Sequence, residues 1–170
     1  MANRARGDAD LVQFNERLTN SNVFGALFRE GMDLVEETAA YLDGDGRAEA
    51  KALDRSASLT YATESMRLTT RLMQIASWLL LHRAVKEGEM TLMQANREKT
   101  KVKLTAADPG PAELLNRLPA RLQDLVTRSM NLQAKVRRLD STIHAPPPDH
   151  AATGNPLLSQ LDRLRAAFER

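Results

Sequence analysis

Between Glu64 and Val85 the chain reads ESMRLTTRLMQIASWLLLHRAV, with no glycine or proline to interrupt it. This stretch, which holds the single tryptophan, Trp78, constrains the fold more than any other, because it has to be kept from water somewhere. A membrane is the first place to test. A spanning helix needs about 20 predominantly apolar residues with charges kept from its centre. Here Arg67 and Arg71 stand on one side of the run and His82, Arg83 and Lys86 on the other, and the apolar core from Ile75 to Leu81 is broken by Ser77. It is too short to span. The N-terminal MANRARGDADLVQ has no apolar core and carries acids early, so it reads as neither a secretory signal nor a transit peptide. The expectation is a cytoplasmic protein that does not insert into a membrane.

The stretch belongs to a longer segment, Arg47 to about Glu87, whose apolar periodicity predicts one helix of roughly 40 residues. Its apolar positions form two stripes. Leu59, Ala62, Met66, Met73, Ala76 and Leu80 make one; Tyr61, Leu68, Leu72, Ile75 and Leu79 make the other. A helix apolar on two sides is buried on two sides. One stripe is assigned to the chain's own bundle and the other to a second copy, with Leu68, Leu72, Ile75 and Leu79 as the candidate dimer face.

Two further long helices complete an all-α fold, a three-helix bundle around this central helix. Upstream, Ser21 sits where an N-cap belongs, and Phe24, Leu27, Phe28, Leu34, Val35, Tyr41 and Leu42 recur at helical spacing, with Gly31 and Thr38 on the same face. A glycine inside a helix costs about 1 kcal/mol against alanine, so Gly31 predicts the close approach of another helix backbone. LDGDGR ends this helix with two Asp-Gly turn signals. Downstream, Gly88 breaks the central helix, Thr91 caps a short one from Leu92 to about Leu104, and TAADPGP forms a loop. A last long helix begins at Pro111 or Pro119 and runs to Ser141; Leu122, Leu125, Ser129, Leu132, Val136, Leu139 and Ile143 alternate spacings of three and four, a bundle seam with one polar member.

The chain divides accordingly into a flexible N-terminal segment (1–20), the bundle domain (21–143), a Pro-rich linker (144–156, HAPPPDHAATGNP) and a short amphipathic tail helix (157–170). In the tail, Leu157, Leu158, Leu161, Leu164 and Phe168 share one helical face and are the candidate partner-binding residues. An isolated helix of this length is marginal in water, so the tail is expected to be flexible until it docks.

Chemistry is largely excluded. The 170 residues contain no cysteine, which removes disulfides, cysteine-ligated zinc and thiol catalysis. The acidic DGDGRAEAKALD places Asp43, Asp45 and Asp54 at calcium-loop positions, but Arg47 and Ala48 stand where a ligand and the bending glycine are needed, so it reads as a hydrated turn. His82, His144 and His150 lack metal-ligand spacing, and His82, beside Arg83, reads as a surface or interface residue. No strand and no Gly-rich phosphate loop is predicted. Trp78 fits a partner anchor and a core residue equally. The formal charge is only +2, but its distribution is uneven: residues 21–64 carry nine acids and four bases, residues 83–103 six bases and three acids. The two regions would attract one another in a hairpin, or across a dimer. REKTKVK (97–103) is basic without interleaved aromatics, a solvated face more than a phosphate patch.

FGALFREGMDLVEETAAYLDGDGR and YATESMRLTTRLMQIASWLLLHRAVKEGEM together resemble the bacterial family of the regulator of CtrA degradation (RcdA), over residues 21 to about 104. The resemblance implies a dimeric helical bundle without enzymatic activity or cofactors. It implies an adaptor of the ClpXP protease, binding the ClpX unfoldase once a response-regulator-type adaptor has primed it and delivering protein substrates or further adaptors during the cell cycle. A cytoplasmic location that admits recruitment to a cell pole goes with that role. The alternative from the residues alone is a small helical nucleic-acid-binding or transcriptional regulatory protein using the bases of 83–103; a helical enzyme is the weakest reading.

Overall fold

The computed structural model describes residues 22–99 and 110–143. The tail candidates Leu157, Leu158, Leu161, Leu164 and Phe168, the linker, residues 1–20 and Ser21 lie outside the described residues. Six helices are present among those described: α1 (Asn22–Asp43), α2 (Asp45–Ala52), α3 (Arg55–Lys86), α4 (Leu92–Lys99), α5 (Ala112–Leu115) and α6 (Ala120–Ile143). No strand occurs among them. The long helices α1, α3 and α6 pack as a three-helix bundle with α3 at its centre, the architecture that the apolar periodicities predict.

The single helix expected from Arg47 to Glu87 is two helices. Leu53 turns extended (φ −76°, ψ 149°), and Asp54 caps α3 by accepting the Ala57 N–H on Oδ1 at 2.9 Å. An aspartate at this position satisfies a backbone donor that the first turn leaves orphaned, and so starts a new helix where periodicity alone sees none. The Ala57 bond, more than the nearby Arg117 guanidinium, holds the Asp54 carboxyl below the ordinary aspartate range. At its other end α3 stops where Gly88 adopts φ +76°, a conformation that favours glycine. Thr91 and Gln94 then form a reciprocal capping box for α4: the Gln94 N–H donates to Thr91 Oγ1 (3.2 Å) and the Thr91 N–H to Gln94 Oε1 (2.9 Å).

Cross-helix pairs give the directions. Glu30 meets Lys135 and Glu37 meets Arg128, so α1 and α6 are antiparallel. Arg71 meets Ser129 and Trp78 meets Asp140, so α3 and α6 are parallel, and the chain between them has to return along the bundle. The core lies where the three meet: Leu34, Leu68, Ile75, Leu79, Leu122, Leu125, Leu132 and Val136 are all buried. Of the predicted α6 seam, six members are buried and Leu139 is half-buried. Its polar member, Ser129, is satisfied inside: its hydroxyl donates to the Val126 carbonyl (2.7 Å) and accepts from Arg71 Nη1 (2.8 Å).

Gly31 is buried, but the neighbour that requires it is a side chain, not the helix backbone expected. A methyl there would stand 2.5 Å from Leu79 Cδ1 and 3.8 Å from Leu132 Cδ2.

Candidate functional site

The two stripes of α3 exchange roles relative to the sequence reading. Leu68, Leu72, Ile75 and Leu79, the candidate dimer face, are at most 4% exposed and packed beneath α1 and α6 within a single chain. They belong to the core. The stripe that the bundle leaves uncovered is the other one: Leu59 and Met66 are each 72% exposed, Met73 66% and Leu80 53%.

The reason lies in what shares the inner face. Glu64, Arg71 and His82 are buried on it together with the leucines, which disguises it as polar. Each finds a partner after folding. Glu64 Oε1 accepts from Arg67 Nη1 at 2.5 Å. Arg71 donates to Ser129, and its burial pushes the guanidinium below its ordinary range, an effect that the Glu64 carboxylate opposes and Arg67 reinforces. His82 stacks on the Trp78 ring at 3.9 Å between centroids, with Nδ1 3.0 Å from the Trp78 carbonyl. His82 is therefore a core residue, not the surface or interface residue expected. Trp78 is a core residue too, 1% exposed; its indole N–H donates to Asp140 Oδ1 (2.8 Å), a carboxylate that also receives Lys99 Nζ. Burial of a polar group costs little once it is hydrogen-bonded, and periodicity does not report a partner on another helix, as Ser129 is for Arg71 and Asp140 for Trp78.

The uncovered face is free of charge over its length. Leu59, Met66, Met73 and Leu80 stand seven residues apart, each turned only about 20° from the last on an α-helix, with Ala62, Thr63, Thr69, Thr70, Ala76 and Ser77 between them. Beside it, between α1 and α3, runs an apolar groove of about 180 Å³ lined chiefly by Val35, Ala39, Leu42, Thr69, Leu72 and Met73. The hydroxyl positions were the members that periodicity missed; their only signal is that no charge interrupts them.

The ion pairs also differ from expectation. Acids of 21–64 are met by bases of α6 and of the turn before it, not by those of 83–103: Asp54 with Arg117 of the turn, and Asp45 with Arg121, Glu37 with Arg128 and Glu30 with Lys135 of α6. Arg83 instead pairs with Glu87, and its guanidinium covers the Phe28 ring at 5.0 Å. No group of three or more His, Asp or Glu able to hold a metal occurs among the described residues, and none of their helices is long and apolar enough to cross a membrane.

Fold and face together define a class: an all-α bundle whose distinguishing feature is an exposed, charge-free helix face. A family model described as "Protein of unknown function (DUF1465)" matches residues 15–168. Among solved structures, RcdA from Caulobacter crescentus CB15 is 49% identical with a TM-score of 0.64, the match covering 77% of this chain and 98% of that one. Among curated protein sequences none matches. The chain belongs to the RcdA family.

Proposed function

We propose that this protein is a non-enzymatic adaptor of regulated proteolysis, acting in the degradation of a CtrA-type regulator. It binds ClpX primed by a response-regulator-type adaptor and brings substrates, or further adaptors, to ClpXP. The observation that carries this reading is the 49% identity to RcdA across 98% of that chain. The uncovered face of α3 supports it in kind, since an adaptor acts through surfaces and has no need of a reacting group. Delivery works by raising the effective concentration of a substrate beside the unfoldase pore through linked weak contacts. The same face is proposed to take a second copy, making the working unit a cytoplasmic homodimer. Within 83–103, Arg83 pairs with Glu87 and Lys99 with Asp140, which weakens the nucleic-acid alternative.

Reconstitution tests the reading. Purified ClpXP, ATP, a priming adaptor and a fluorescently labelled CtrA-type regulator should degrade the label several-fold faster when this protein is added, and only when the priming adaptor is present. Failure of hydrolysis-blocked, ATP-bound ClpX to retain the protein, with and without cell extract, would overturn it.

A further inference from the structure

A second groove, sharing no residue with the uncovered face of α3, lies on the flank of α6 turned away from α1. Arg128 and Lys135 reach α1 from the other flank. Leu115, Asn116 and Leu118, at the end of α5 and in the turn after it, face Val126, Thr127 and Met130 of α6 across a space of about 230 Å³. Leu118 and Val126 are buried, Met130 is half-buried, Thr127 is exposed, and none of the six carries a charge. We infer that the occupant is the chain's own segment 157–168, folded as a helix and laid antiparallel along α6. Leu157 then lies at Met130, Leu161 at Val126 and Phe168 at Leu118. The contact is independent of the adaptor reading.

Reach, length and chemistry select this occupant. α6 ends at Ile143, about 20 Å beyond Met130 at 1.5 Å per residue. The linker 144–156 extends to about 40 Å at 3.1 Å per residue, enough to reverse after Pro146–Pro148 and come back to Met130. A parallel helix would have to start at Leu118, about 38 Å from Ile143, which leaves the linker nothing for its reversal. The groove runs from Met130 to Leu118, about 18 Å along the bundle, and the segment 157–168 as a helix is also about 18 Å long. Leu157, Leu161, Leu164 and Phe168 then follow one another along the groove on one helical face. Arg163 comes level with Asp124, an exposed carboxylate whose partner Arg128 sits closer to Glu37, 2.8 against 3.3 Å. Two polar side chains beneath the helix are already engaged, so covering them costs little. Gln123 Nε2 donates to the Leu118 carbonyl at 2.7 Å, and Thr127 Oγ1 donates to the Gln123 carbonyl at 2.9 Å. The tether holds the segment at an effective concentration on the order of millimolar, so even a weak contact is populated. Such a contact adds little to the stability of the bundle and yields the segment to a partner that binds it better.

The absence of cysteine lets the contact be read directly in the full chain. Thr127→Cys combined with Leu161→Cys is treated with a short bis-maleimide in a mixture of isotope-labelled and unlabelled protein, and the linked peptides are identified by mass. The expected product joins positions 127 and 161 of one chain, at several times the yield of the control pair Thr63→Cys with Leu161→Cys. Thr63 lies on the uncovered face of α3. An equal or higher yield from the control pair would overturn the proposal by placing the segment on α3. Links that join mainly labelled to unlabelled chains would overturn it in favour of a second copy's tail, and no link from either pair would leave the groove to an external partner. Independently, Leu161→Asp with Leu164→Asp should speed amide hydrogen exchange across 112–130 several-fold while leaving α1 unchanged. Unchanged exchange across the groove would also overturn it.

Discussion

Gly31 shows how one residue registers the packing of three helices. It faces Leu79 of α3 and Leu132 of α6, both fully buried, and the space that its missing side chain leaves is occupied by the end of Leu79. Glycine weakens the helix by about 1 kcal/mol against alanine, but a larger side chain here displaces a leucine that has nowhere to go. Gly31→Leu should therefore destabilise by about 1–3 kcal/mol net, the usual cost of overpacking, read as a lowered urea midpoint with an unchanged slope. A variant as stable as the parent would mean that Leu79 repacks freely. Ser129 was legible in the sequence as the polar break in a seam of leucines; its reason was not, because its partner Arg71 comes from a different helix.

At the scale of the element, α3 carries apolar residues on two opposite faces, and a period of 3.6 residues reports both equally. Only the neighbours tell them apart. Leu72 lies under α1 and is 4% exposed, while Leu80 is 53% exposed on the uncovered face. Leu72→Asp puts an unpaired carboxylate into the core and should abolish the cooperative thermal transition, or destabilise by more than about 3 kcal/mol. Leu80→Asp should keep the parent's helical circular dichroism and its cooperative transition while light scattering shows a monomer. If Leu72→Asp left the fold intact and dissociated the protein, the assignment of inner and outer faces would be reversed. The sequence foretold helix boundaries where a residue forces them, as at Gly88 and Thr91. It hid the break at Asp54, where one side-chain acceptor ends an otherwise continuous pattern.

For the molecule as a whole, the division into bundle and tail is an expectation from composition, resting on residues outside those described: three consecutive prolines, Pro146 to Pro148, are not expected to continue α6. We expect truncation after Ile143 to leave the melting temperature and the dimer nearly unchanged while abolishing adaptor-dependent turnover, and Leu161→Asp with Leu164→Asp to reproduce that loss in the full chain. A segment that folds as it binds contributes a weak contact alone and an effective one within a multi-part assembly. Truncated protein that still delivers substrate would remove the tail from the mechanism; truncated protein that unfolds would assign it to the bundle. What the sequence by itself determined is the all-α class, the three long helices, the α6 seam and the existence of two apolar stripes on α3, because each is a local periodicity that a chain displays without knowing its neighbours. Tertiary structure alone decided which stripe is interior. It did so by bringing α1 and α6 onto the face that also holds Glu64, Arg71 and His82; Glu64 and His82 are paired within α3, by Arg67 and the Trp78 carbonyl, whereas the Ser129 partner of Arg71 comes only with α6.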